Sequence, residues 1–249
     1  MAVAGVAGAG VAAAAAHSTP AAKGATGATG APAGATGATG ATRTGAKFLA
    51  AQQQLENALA LRTTQLTKLG TDITDNSKVL QPAHLTTLTD RLQSETTSIS
   101  GLAAQVVKDT TWAELASGRT TMLYDNRVFA VMTPQVFETI EADTIASGVA
   151  SLEAEEPGLQ SAVNSIIGQP GAQNAANHYA EFVKLVNTAA NVSTGVATTV
   201  LAVIPQQWPK AEQIFVAANR QLLKADLAIA RAEYDATVIG LATGGYTGS

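Results

Sequence analysis

The stretch LENALALRTTQLTKLGTDI, residues 55–73, decides the fold class. Leu55, Leu59, Leu66, Leu69 and Ile73 follow a four-and-three-residue alternation, and Arg62 fills the one polar position of that series. Such spacing lays an apolar seam along one side of an α-helix, as in coiled-coil packing, and a strand of period two does not reproduce it. Residues 85–106 repeat the pattern with Leu85, Leu88, Leu92, Ile99, Leu102 and Val106, Glu95 being the polar member. The first helix is expected over about residues 46–77, roughly 50 Å at 1.5 Å per residue. Pro82 suits the first turn of the next helix, where its missing N–H costs nothing. The short loop between them makes the two helices antiparallel neighbours.

Downstream, Thr111-Trp112-Ala113-Glu114 has capping-box form and opens a third helix. Thr133-Pro134 either opens a fourth or kinks one long helix over about 112–155. The apolar phase Phe129, Met132, Val136, Ile140 runs through the proline without a slip, which favours the kink. Pro157-Gly158 is expected to end that segment, with a turn at Gly168-Gln169-Pro170-Gly171 after a short piece carrying Leu159, Val163 and Ile167. A long helix is expected over about 172–203, a turn at 205–209, and a last helix over about 210–241. Gly70, Gly101, Gly118, Gly148 and Gly195 lie inside helical patterns and suggest close packing or local bends. The expected fold is all-α: an elongated antiparallel bundle of five or six helices with coiled-coil-like packing, spanning 46–243, before a disordered tail at 244–249.

The chain ahead of residue 46 is a different material. Residues 2–16 are wholly apolar and end in Ala14-Ala15-Ala16, the h-region and cleavage pattern of a signal peptide with His17 as the first mature residue. No Lys or Arg precedes the run, so the n-region is missing. Either the start lies upstream of Met1 or the run is an Ala-rich tail; export is the expectation. Residues 17–45 form a disordered low-complexity linker of Gly, Ala and Thr. Its glycine period of three breaks at residues 30–34 and a single proline stands in 24–45, against a collagen helix. In an exported chain its threonines are candidate sugar acceptors.

Composition removes whole classes of chemistry. The 249 residues contain no cysteine, which excludes disulfide scaffolds, zinc fingers, iron–sulfur clusters and thiol nucleophiles. A formal charge of −4 and a pI near 5.4 argue against nucleic acid as a partner. His17, His84 and His178 are the only histidines. His178 and Glu181 stand three apart, but a di-iron bundle needs two Glu-x-x-His pairs and further glutamates. Residues 72–77, DITDNS, lack the spacing and terminal Glu of a calcium loop. No nucleophile elbow, phosphate loop or dinucleotide fingerprint is present. No catalytic, cofactor-binding or metal residue is therefore assigned, no cofactor is expected, and the chain is read as not an enzyme.

Two stretches stand out. Between Arg127 and Lys184 there is no Lys or Arg, while Glu138, Glu141, Asp143, Glu153, Glu155, Glu156 and Glu181 are acidic. This reads as a solvated face, with a basic partner or loosely held divalent cations as the alternative. Residues 185–207 are uncharged, yet Asn187, Asn191, Thr194 and Thr198 make them too polar for a comfortable span, so membrane insertion is not expected.

The stretches DTTWAEL (109–115) and YDNRVFAVMTPQ (124–135) resemble a group of exported Ala/Thr-rich helical proteins of high-GC Gram-positive bacteria. Asp109, Arg127, Val128, Phe129, Pro134, Gln135 and Asp143 fill the places of that pattern. Asn126 stands where the group's tyrosine adjoins the arginine, and Tyr124 comes two residues early. The resemblance covers about residues 55–143 and implies export and a bundle fold, with no activity to carry over. A partly buried Arg127 paired with Asp143 or Asp125 is expected. The functional expectation is a non-catalytic structural or interaction protein, extracellular or associated with the bacterial envelope. Its partner is an unknown protein or the cell wall, and self-association is left open. The alternatives are a small-molecule or divalent-cation binding module and a membrane-active effector using residues 185–207.

Overall fold

The computed structural model describes residues 45–244. The signal-peptide, linker and C-terminal tail readings, at 1–16, 17–44 and 245–249, lie outside the described residues. The rest is all-α, with no strand among the described residues. Five helices of 22 residues or more carry it: α1 (Ala46–Asp75), α2 (Pro82–Val106), α4 (Thr133–Ser165), α5 (Ala172–Ser193) and α7 (Glu212–Ala242). Two shorter ones, α3 (Trp112–Tyr124) and α6 (Val196–Leu201), connect them.

The α1–α2 hairpin forms as the seams require. Leu55, Leu59, Leu66, Leu69 and Ile73 are buried on α1, and Leu88, Ile99 and Val106 on α2. Each such side chain removed from water contributes roughly 1.5–3 kcal/mol before entropy is subtracted. Arg62 is accommodated rather than solvated: its guanidinium donates to the Ala58 carbonyl at 2.9 Å and lies 5.5 Å from the Phe129 ring. The N-terminal half of α4 adds Val136 to this core, whereas Ala142, Ile145, Val149 and Leu152 pack into a second core with α5, α6 and α7.

Thr111 caps α3 as expected. Its hydroxyl accepts from the Glu114 N–H at 3.3 Å, and the Glu114 carboxylate accepts from the Thr111 N–H at 2.9 Å. Thr111→Ala is expected to cost about 1 kcal/mol, measured by urea denaturation.

Three boundary expectations are corrected. There is no kinked helix over 112–155: α3 stops at Tyr124, and a π-helical turn at Val128–Met132 leads into α4. Pro134 sits in the first turn of α4. Its ring excludes a carbonyl four residues back, and the wider π-turn just before it gives that ring room. The apolar phase is continuous across the proline because the chain stays helical there. Pro157 does not end α4, which runs on to Ser165. Pro157 and Glu153 are both exposed, so water serves the carbonyl that the missing N–H leaves open. The helix expected over 172–203 breaks at Thr194-Gly195, where Gly195 takes φ +76°, a conformation that terminates α5 and starts α6.

Candidate functional site

Buried polar side chains tie helix ends to their neighbours, and the strongest of these ties sits at the start of α2. Asp143 on α4 is 2% exposed. One of its oxygens accepts the Gln81 N–H at 2.8 Å, and His84 Nδ1 lies 3.0 Å from the carboxylate. A carboxylate there satisfies a free amide of α2 and meets the positive end of its dipole. The pair borders a cleft of about 370 Å³ that Ser193, Thr194 and Thr198 also line. A His–Asp pair beside hydroxyls suggests nucleophilic chemistry, but two of the three hydroxyls point elsewhere. Ser193 donates to the Ala189 carbonyl at 2.8 Å and Thr194 to the Ala190 carbonyl at 2.6 Å, each back onto its own helix. The cleft offers a polar wall and one imidazole to a small ligand, without an assembled nucleophile and base.

A second His–Asp pair joins α5 to α7. His178 Nδ1 is 2.7 Å from Asp235 Oδ1, and its ring meets Tyr234 edge-on at 6.3 Å. Glu181 turns away from His178 to Lys184, at 2.9 Å. Among the described residues no group of three or more histidine, aspartate and glutamate side chains is arranged to hold a metal ion. Residues 72–77 form the end of α1, where the Asn76 amide donates to the Asp72 carbonyl at 2.7 Å.

The acidic segment does not form one face. Asp143 belongs to the α2 cap, and Glu156 accepts from the Tyr179 hydroxyl at 3.3 Å. Glu138 is buried with one carboxylate oxygen unpartnered. Loss of hydration, reinforced by Glu141, pushes its carboxyl up to about 8. Glu141 is raised by burial and by Asp226 of α7, and Glu155 by burial and by Glu233. Negative charge thus gathers where α4 meets α7.

The residues of the 109–143 pattern are mostly architectural. Asp109, Gln135 and Asp143 are all buried, and Gln135 donates to the Val200 and Val203 carbonyls, each at 2.8 Å, at the end of α6. Gln52 does the same for α2 through the Val106 carbonyl at 2.6 Å. The expected pairing of Arg127 with Asp143 or Asp125 is not formed, because Asp143 is occupied by α2. Arg127 instead lies over the Tyr124 ring at 5.2 Å. Arg127 is half-buried and its Nε has no hydrogen-bond partner, so Arg127→Met removes an unmet donor along with a cation–π contact of about 0.5–1 kcal/mol; a net change below about 1 kcal/mol is expected, and calorimetry measures it.

One feature was not singled out from the sequence. On α7 the inward positions Ala218, Ala225, Ala232 and Ile239 are buried, seven residues apart. Facing outward, Val216, Leu223, Leu227, Tyr234 and Leu241 are 45–64% exposed. With Arg220, Ala230 and Thr237 between them, they form an unbroken alternation of four and three steps. This is a second seam, left uncovered. Residues 185–207 contribute the end of α5, α6 and a short 3-10 turn, and among the described residues no helix is long and apolar enough to cross a membrane.

Comparison of the chain with protein-family models, with curated proteins and with solved structures returns no match.

Proposed function

We propose that this chain is a non-catalytic, exported structural or interaction protein of the bacterial envelope or medium, working through the outer face of α7. The uncovered seam carries this reading. Five large apolar side chains in one line on a rigid helix hold exposed area that a monomer gains nothing by keeping bare. The rest of the polar inventory supports it, since the buried glutamines and aspartates are spent on helix ends and inter-helix ties. Export rests on the apolar run 2–16 and the Gly/Ala/Thr stretch that follows. Fractionation of the host with intact-mass measurement tests it. A chain beginning near His17 in the medium or wall is the expected result, and an uncleaved cytosolic chain overturns export.

The His84–Asp143 cleft favours a second reading, a module that binds a small polar molecule or a divalent cation. Bound ligand at a hundred times its dissociation constant stabilises the fold by about 2.7 kcal/mol. A thermal-shift screen against divalent cations and small polar metabolites that moves no melting temperature removes this alternative.

A further inference from the structure

The uncovered seam of α7 has a charge pattern that selects its occupant, and we infer that it pairs in parallel with the same seam of a second copy. This rests on the proposed role of the α7 face and names its partner. Along the seam the two flanks carry opposite signs. Asp226 and Glu233 lie on one flank, with Glu141 and Glu155 of α4 close by. Lys224 and Arg231 lie on the other.

The seam residues alone do not fix an orientation. Their positions are symmetric about the midpoint of residues 228 and 229, so the apolar pairs 216 with 241 and 223 with 234 match in an antiparallel pair as readily as each residue matches itself in a parallel one, while Arg220 meets Thr237 in the first and its own copy in the second. The flanks outweigh that single contact. Antiparallel seams set like flank against like flank, which brings Asp226 to Glu233 and Lys224 to Arg231 of the second copy. Parallel seams set each flank against its opposite, and Asp226 meets Arg231 of the second copy on both sides of the two-fold axis. A partner of one sign would satisfy only one flank, whereas a second copy in parallel satisfies both.

The size fits a reversible contact. Twenty-six residues of helix make a strip about 39 Å long and about 10 Å wide, on the order of 400 Å² per copy. The charged flanks widen it towards the roughly 800 Å² per partner of a standard interface. Arg220 meets its own copy in the parallel seam and weakens it, so the dimer is concentration-dependent.

The absence of cysteine makes the test clean. Val216→Cys and Leu241→Cys are prepared separately in the full chain and oxidised at high protein concentration. The parallel pairing gives disulfide dimers from each variant alone. Dimers formed only when the two variants are mixed overturn it, because the ends lie about 38 Å apart in an antiparallel pair. Sedimentation of Asp226→Lys supplies an independent sign. The parallel dimer weakens by about tenfold, the antiparallel one tightens. Leu223→Glu is expected to leave the melting temperature of the dilute monomer unchanged and to abolish the dimer. A wild-type chain that stays monomeric up to millimolar concentration overturns the inference while leaving export, tested in the host, untouched.

Discussion

The folded chain is expected to be more stable at pH 5 than at pH 8.5, and Glu138→Gln is expected to remove most of the difference. Glu138 is buried, one of its oxygens has no partner, and its carboxyl titrates at about 8 because the charged form loses hydration and faces Glu141. From about pH 4.5 to 8 the folded chain keeps a proton on Glu138 that the unfolded chain has released. The stabilising contribution is therefore whole below about pH 4.5, declines as pH rises to about 8, and stays lost above it. At 1.36 kcal/mol per unit the swing is at most about 5 kcal/mol. Glu95, Glu141 and Glu155 are raised by the same desolvation and act in the same direction. Glu114 is pulled down by the Thr110 and Thr111 amides and acts oppositely, losing its contribution only at still lower pH. Expressed as melting temperature, Glu138→Gln gains about 5–10 °C at pH 8.5 and little at pH 4.5. Equal gains at both pH values would show that shape, not charge, sets the cost.

Gln135→Met is the complementary loss. Gln135 is 2% exposed, and its single amide nitrogen serves two carbonyls, Val200 and Val203. Helix α6 has only six residues, and Gln135 adds a donor from outside it to Val200 near its end and to Val203 just beyond. Methionine keeps the volume and removes the donor. Val200 still accepts the Val203 N–H at 3.2 Å and Val203 the Arg91 guanidinium at 3.4 Å, so the change removes one hydrogen bond from each carbonyl and is expected to cost about 1–3 kcal/mol together, which chemical denaturation resolves. A loss below about 1 kcal/mol would mean that water reaches the end of α6 once the amide is gone.

The residues that were legible in sequence are those whose neighbours are local. The seams of α1 and α2 repeat every seven residues, and the Thr111–Glu114 box closes within one turn, so spacing alone specifies them. The Asp143 tie joins residues 59 and 62 positions apart, and no periodicity announces it. Pro157 misleads because its cost depends on exposure: a helix interior position facing water tolerates it. Gly195 was visible as a glycine within a helical pattern, but its positive φ is set by how α6 turns back onto α4. The outer series of α7 is written in the sequence as plainly as those of α1 and α2. Whether such a series is covered is decided by the whole bundle, since inward alanines and outward leucines share one helix.

Helix α4 lends its first turns to one core and its middle turns to the other, without a joint between them, and Val163 near its end to a small cluster with α5 and α7. Melting of either half frays the same rod from one end and strips support from the opposite half. The two halves are thereby bound into a single cooperative unit, and a nick or a destabilising change in α4 propagates in both directions, whereas one in α3, which buries Leu115 and Met122 in the first core, reaches the second through α4.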